Sequence, residues 1–351
     1  MTLEANKTEI KTLNIDELKQ ALTNMGEKPF RAKQIFKWLH LPVSSFEEMS
    51  DQSKALRQRL EEKFILTVPH IERKQVSKLD GTIKYLWRMQ GGDCVESVLM
   101  RYEHGNTICV STQVGCRMGC KFCASGLFGL KRNLSAGEIL DQVLFAQKDS
   151  GLKISNIVLM GTGEPLDNYD NVLKFLHLVS SSDGICIGQR HISLSTSGLA
   201  DKIEKLAQEK LQITLSISLH APDNESREKI MPVTRSFPVE RLMKACRYYF
   251  DTTGRRISYE YAMSRNISDR PWQAKQLAKL LHGRPCHVNL IPLNPVKESD
   301  VQPSTKEAVR KFQQILTQNG ITATVRRRLG PDIDAACGQL RRRTIEEGES
   351  K

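Results

Sequence analysis

The segment Gly115-Cys-Arg-Met-Gly-Cys-Lys-Phe-Cys-Ala-Ser125 places Cys116, Cys120 and Cys123 close together, and no further cysteine follows until Cys186. Three thiolates at this spacing suit a metal, yet structural zinc and most iron–sulfur clusters take four protein ligands. A zinc site lacks its fourth ligand, because His104 lies before the preceding strand-like run and has no second histidine at zinc-finger spacing. A disulfide among three would leave one thiol over. A 4Fe-4S cluster held by three thiolates leaves one iron open, which serves a substrate that must bind the cluster directly.

Other chemistry-bearing residues lie just past short apolar runs. Gly161-Thr-Gly-Glu-Pro165 offers backbone polar groups and the Glu164 carboxylate, suited to an ammonium group or to capping a tight turn. Ser195, Ser218 and His220 suit a ribose or a carboxylate, or simply satisfy strand ends; Asn294 suits a ribose or an adenine, or shapes the turn before Pro295. The runs themselves, 107–113, 154–160, 191–196, 213–219, 257–263, 286–292 and 323–327, read as strands. Amphipathic helices separate them, one opened by a capping box from Ser135 to Glu138. This alternation predicts an α/β fold with a parallel sheet, a barrel or an open fragment of one, with ligands bound beyond the C-terminal strand ends.

Upstream the pattern differs. Ile15, Leu18, Leu22 and Met25 recur at helical spacing up to Gly26, and Phe30, Ile35, Phe36 and Leu39 follow Pro29 in a second run. Ser45 with Glu48 predicts a short third helix, and Leu56, Leu60 and Phe64 a fourth. From Val68 to Val110 the chain becomes strand-like, with turns at Asp80-Gly81, Gly91-Gly92 and His104-Gly105-Asn106. The expected division is an N-terminal helical accessory domain over 1–67, a β-hairpin extension over 68–106, and a core over 107–351.

The spacing C-x3-C-x2-C, with Phe122 before the last cysteine, resembles the signature of the radical SAM superfamily. Segments 26–39, 109–125, 163–171, 216–227, 287–296 and 330–341 together resemble the RlmN/Cfr family of radical SAM RNA methyltransferases, nearly end to end. Pro165 after Glu164 favours the RlmN side, where Cfr would have alanine, and Thr162 departs from the methionine common at that position.

The resemblance implies a partial (βα)6 TIM-like barrel holding one 4Fe-4S cluster on Cys116, Cys120 and Cys123. It implies S-adenosylmethionine on the open iron, with Gly163, Glu164, Ser195, Ser218, Leu219, His220 and Asn294 as its binding residues. The implied activity is methylation of carbon 2 of adenine 2503 in 23S rRNA and adenine 37 in tRNA, with two S-adenosylmethionine molecules consumed. Cys337 carries the methyl group, Glu96 is the implied proton acceptor, and Cys109 forms a transient disulfide with Cys337. From the residues alone, Cys109 between Ile108 and Val110 reads as a core cysteine, Cys337 as a small buried residue, and Glu96 as a solvent-facing strand residue. Cys94, Cys186, Cys246 and Cys286 match no functional position of the family. The alternatives are Cfr-like methylation at carbon 8, and a zinc-stabilised RNA-binding protein without catalysis.

The formal net charge of +12 calls for a polyanionic partner, which rRNA and tRNA supply; Arg326-Arg327-Arg328 and Arg341-Arg342-Arg343 concentrate part of it. No apolar run approaches the roughly 20 residues that span a bilayer. The N-terminus shows no secretory pattern, so a cytoplasmic chain is expected, and its nine cysteines are poor candidates for structural disulfides. A monomer served by an electron donor such as flavodoxin or ferredoxin completes the expectation.

Overall fold

The structure, a computed structural model, describes residues 7–127, 129–293, 301–327 and 329–333. Strand β1 (Thr8–Glu9) leads into helices α1 (Ile15–Asn24), α2 (Arg31–Leu39) and α3 (Lys54–Lys63), and β2 (Phe64–Ile65) returns to pair parallel with β1. Helix α1 starts where the Asn14 side chain accepts the N–H groups of Asp16 and Glu17 while Glu17 reaches back to the Asn14 N–H. It stops before Gly26, whose φ of +78° suits glycine. The apolar stripe of Leu18, Leu22, Ile35, Phe36, Leu39, Leu56 and Leu60 is buried, as its spacing predicts. Two expectations change: the Ser45–Glu48 capping box opens only a single 3-10 turn, and Phe64 begins β2 instead of extending the helix.

Strands β3 (His70–Val76), β4 (Ile83–Arg88) and β5 (Cys94–Met100) form an antiparallel ladder that continues onto β6 (Asn106–Cys109). The chain then leaves this sheet for a separate hairpin of β7 (Gln113–Gly115) and β8 (Leu130–Asn133). Thereafter come α4 (Ala136–Ser150), β9 (Ile154–Leu159), α5 (Tyr169–Ser180), β10 (Ile192–Thr196), α6 (Ala200–Gln208) and β11 (Thr214–Ser218). Next are α7 (Asn224–Ile230), α8 (Val239–Thr253), β12 (Ile257–Met263), α9 (Pro271–Leu281), β13 (Cys286–Pro292), α10 (Lys306–Gln318) and β14 (Ala323–Val325). All seven strands expected from Thr107 onward are present, and the Ser135–Glu138 box caps α4. Strand β6 ends at Cys109, short of the expected residue 113.

The main sheet has ten strands in the order β14-β13-β12-β11-β10-β9-β6-β5-β4-β3, parallel from β14 to β6. Laid flat at about 4.8 Å per strand, its edges would stand about 43 Å apart. Yet Arg326 N donates to Leu290 O on β13, and six residues later Asp332 accepts from Ser77 Oγ at 2.6 Å and Lys78 N at 2.8 Å, just past β3. Six extended residues reach about 20 Å. The sheet is therefore curled, and its edges are joined by a crossing segment instead of strand pairing, which makes a partial barrel.

The N-terminal end is fastened to α4 by buried charge. Lys11 Nζ lies 2.5 Å from Asp141 Oδ1 and donates to Thr67 O at 3.0 Å, with both ionic side chains at 0–1 % exposure. Glu9 packs against Gly137, where an added Cβ would meet the Glu9 carboxylate at 1.9 Å. Among the described residues no helix is long and apolar enough to cross a membrane.

Candidate active site

A cavity of about 370 Å³ opens at the C-terminal ends of β6 and the parallel strands after it. The cysteine loop forms one wall. Gly115, at φ +83°, begins the loop, and a Cβ there would meet Gly129 O at 1.9 Å. Glycine thus permits the close pairing in which Cys116 N donates to Gly129 O at 2.9 Å. Cys116, Cys120 and Cys123 all line the cavity, the first buried and the other two half-buried.

Burial pushes the Cys116 thiol up to about 12, opposed by the Met118 N–H and reinforced by Glu164, Cys123 and Asp167. Burial, reinforced by Cys123, Cys116 and Glu164 and opposed by Arg227, pushes the Cys120 thiol up as well. Such thiols ionise only when a cation binds them, as metal ligation requires. Ser125 Oγ, buried beside them, has no hydrogen-bond partner among the described residues and lines the same cavity, leaving a polar atom for a bound group. Among the described residues no three His, Cys, Asp or Glu side chains converge on a single metal ion. A polynuclear cluster, whose ligands attach to different metal atoms, does not require that convergence. The residues fit an iron–sulfur cluster with one position left open.

An adjoining wall is built on the loop after β9. Thr112 N and Gln113 N donate to Thr162 O, and Gln113 Oε1 accepts from Glu164 N at 2.8 Å, so this loop is bonded to the start of the cysteine hairpin. Gly163 has φ +113°, and a Cβ there would meet Gln113 Cβ at 2.7 Å. Glu164, 3 % exposed, accepts from Leu166 N at 3.0 Å and Ser197 N at 2.6 Å. Burial raises its pKa, and the Ser197 N–H, the Thr196 hydroxyl and the Leu166 N–H only partly offset this. An arriving cation would favour the carboxylate, so the site is chemically matched to an ammonium group.

Ser195 Oγ and Ser218 Oγ lie 3.5 Å apart on neighbouring strands. His220 adopts φ +59° and packs edge-on against Phe122 with ring centroids 4.8 Å apart. Its Nδ1 accepts the Ala262 N–H at 2.9 Å, and burial with the nearby Arg227 guanidinium lowers its pKa to about 3. The imidazole is therefore neutral with its proton on Nε2, a fixed donor on a cavity-lining residue. Nδ1 thus satisfies the strand-end backbone, and Nε2 is left as a donor on a residue that lines the cavity.

Gly163, Glu164, Ser195, Ser218, His220 and Cys109 line the cavity with the three cysteines. Leu219 does not: its side chain is fully buried, its N–H donates to Glu260 O at 3.1 Å and its carbonyl accepts from Arg227. Cys109 packs with Val98 and Met100 against Leu329. Glu96 corrects an expectation, for it is 3 % exposed and Lys84 Nζ stands 3.0 Å from its carboxylate. Alternation along β5 gave the correct face, but that face turns into the curled sheet. Glu96 shares it with Val98 and Met100 without lining the cavity itself. Cys186 is exposed, whereas Cys246 is buried. Asn294 and Cys337 lie outside the described residues.

Two residues escaped the sequence reading. Arg227 on α7, 0 % exposed, donates to Leu219 O, Ser197 O, Ser218 O, Phe237 O and Thr234 Oγ1, tying together the loops that follow β10 and β11. Only the length of the run 216–227, recognised as one block, hinted at it. Glu260 on β12, 5 % exposed, lines the cavity and accepts from Asn289 Nδ2 at 2.8 Å.

Residues 8–66 match the ribosomal RNA large subunit methyltransferase N-terminal domain family, and residues 110–278 match the radical SAM superfamily. The chain is 53 % identical to a probable dual-specificity RNA methyltransferase RlmN of Lachnoclostridium phytofermentans, over 96 % of this chain and 95 % of that one. It is 50 % identical to the protein of the same description from Clostridium tetani, over 99 % of both. A radical SAM methyltransferase from Sphaerobacter thermophilus superposes with a TM-score of 0.90 at 42 % identity, covering 95 % of this chain and 98 % of that one. With about half of the residues identical to these relatives over nearly the full length of both chains, and both family models matched, this chain belongs to the RlmN family of radical SAM methyltransferases.

Proposed function

We propose that this enzyme methylates carbon 2 of an adenine in 23S rRNA, adenine 2503, and of adenine 37 in tRNA. The observation that carries the reading is the convergence of Cys116, Cys120, Cys123, Glu164, Ser195, Ser218, His220 and Cys109 on one cavity at the strand ends. Cys116, Cys120 and Cys123 would hold an iron–sulfur cluster, which would supply the single electron for reductive cleavage of S-adenosylmethionine. Glu164 meets the amino group of that molecule, and Ser195, Ser218 and the His220 Nε2–H supply hydrogen bonds to its carboxylate and ribose, with Gly163 and Asn294 completing the set. Carbon 2 of adenine is electron-poor and does not attack a methyl sulfonium, so the methyl group must first rest on a protein nucleophile. Cys337 takes it from one S-adenosylmethionine by displacement, and a second molecule is consumed in activating it.

Glu96 accepts the carbon 2 proton in this reading. Lys84 is its buried ion-pair partner at 3.0 Å, behind the Val98 and Met100 that line the cavity. One electron leaves the adduct for the oxidised electron donor along with that proton. The Cys109 thiolate then attacks the Cys337 sulfur, the sulfur–carbon bond breaks, and the freed carbon takes a proton to complete the methyl group. The electron donor later reduces the Cys109–Cys337 disulfide to two thiols. The target adenine must leave its stack, at a few kcal/mol, to reach this depth. Residues 1–67 act as the RNA-binding accessory domain, 68–106 as the extension leading into the core, and 107–351 as the catalytic core. The enzyme works in the cytoplasm as a monomer, reduced by flavodoxin or ferredoxin.

The test is product analysis on RNA treated with anaerobically reconstituted enzyme, S-adenosylmethionine and a reductant. Chromatography against standards should find 2-methyladenosine; 8-methyladenosine alone would move the chain to Cfr-like chemistry. Colourless protein containing zinc and no iron would instead favour the non-catalytic alternative. A Cys337→Ala variant should still cleave S-adenosylmethionine yet never methylate RNA.

A further inference from the structure

We propose that Asp80 and Asp332 are positioning residues for Cys337: they latch the segment leading to it across the cavity mouth. The inference rests on the reading of Cys337 as the methyl carrier. After Arg326 makes the last sheet hydrogen bond, to Leu290 O, the chain leaves β14 and passes over the open side of the barrel. Arg326, Arg327 and Leu329 line the cavity, and Leu329 packs on the far wall with Val98, Met100 and Cys109. Gly330, at φ +58°, turns the chain there, and its N–H donates to Asp80 Oδ2 at 2.8 Å. Two residues on, Asp332 accepts from Ser77 Oγ at 2.6 Å through one oxygen and from Lys78 N at 2.8 Å through the other.

The two carboxylates are reciprocal. Asp80 belongs to the β3–β4 turn and takes a donor of the crossing segment, while Asp332 belongs to the crossing segment and takes two donors of the turn. The turn is ordered by itself: Ser77 N donates to Thr82 O at 2.8 Å, Gly81 N to Ser77 O at 3.1 Å, and Thr82 N to Asp80 Oδ1 at 3.0 Å. It is a receptor formed in advance, so little ordering is required when the segment docks. The Ser77 hydroxyl and the Lys78 N–H hold the Asp332 carboxyl below its ordinary range, and the Gly330 and Thr82 N–H groups do the same for Asp80, so both latch halves stay ionised in use.

Cys337 follows Asp332 by five residues and Leu329 by eight. A thiol on a short tether from a fixed point works at high effective concentration, and a thiol on a loose tether does not. Burial alone does not explain these contacts: Ser77 is buried, but Lys78 and Asp332 are exposed. Their value lies in where they put the chain.

The experiment compares full-length, reconstituted wild-type enzyme with Asp80→Ala, Asp332→Ala and Asp332→Asn. Hydrogen exchange in peptides spanning 326–333 should rise in both alanine variants while the thermal midpoint stays unchanged. Methylation of Cys337, followed by mass spectrometry of its peptide, should slow at least tenfold, with equilibrium binding of S-adenosylmethionine unaltered. Asp332→Asn should recover most of the rate, since an amide can accept from Lys78 N and donate to Ser77 Oγ. Alanine variants that match wild type in exchange and in Cys337 methylation would overturn the latch alone. Wild-type enzyme that methylates RNA while Cys337 never carries a methyl group would overturn the carrier reading, and the latch's role with it.

Discussion

At the scale of single residues, the site depends on backbone contacts that tolerate no added atom and on buried polar groups with few alternatives. Gly163→Ala combines a positive φ with a Cβ 2.7 Å from Gln113, so we expect S-adenosylmethionine affinity to fall at least tenfold by equilibrium dialysis. Arg227→Lys should lower stability by about 3 kcal/mol in denaturant titrations, because one ammonium cannot replace a fork that spans five acceptors. A lysine variant as stable as wild type would show that the loops hold themselves. The cysteine triplet, Glu164, Ser195, Ser218 and His220 were legible because each chemistry-bearing residue follows an apolar run at a strand end. Arg227 was not, since its acceptors come from loops that meet only in three dimensions. Glu96 was half legible: period-two alternation assigns a face, but whether another layer covers that face depends on the curl of the sheet.

At the scale of elements, the docking of β1 on α4 carries a testable charge. Burial raises Glu9 from the usual 4.5 to about 7, with the Ser135 hydroxyl opposing and Asp141 and Glu138 reinforcing. Between those values the folded chain keeps a proton that the unfolded chain has released. Stability therefore falls as pH rises from about 4.5 to about 7, by at most about 1.4 kcal/mol per pH unit, and then levels off. Glu9→Gln should be more stable than wild type at pH 8 and close to it at pH 4 in thermal melts; equal stability at both values would contradict a buried, proton-holding Glu9. The elements themselves were readable, from the helical stripe of α1 to all seven parallel strands, because periodicity survives in each. Their closure was not, because the contact between the segment after β14 and the turn after β3 joins residues about 250 positions apart in sequence.

At the scale of the whole molecule, the charge of +12 predicts RNA binding that weakens steeply with salt, as counterions released from phosphates are recaptured. Filter binding across a salt series should show that slope, while S-adenosylmethionine binding to the same protein stays nearly flat. An RNA affinity indifferent to salt would remove the role assigned to the basic surface. The cysteine hairpin has a different consequence. β7 and β8 are a sheet of their own, and Cys116 N, Cys123 N and Lys121 N donate to carbonyls of Gly129, Cys120 and Ile230. None of these bonds runs through iron. Iron-free protein should accordingly melt within a few degrees of the reconstituted enzyme by calorimetry. Loss of an iron–sulfur cluster would then spoil a replaceable part and spare the machine around it: repair would be a matter of refilling a standing socket, with no return to the ribosome or the chaperone.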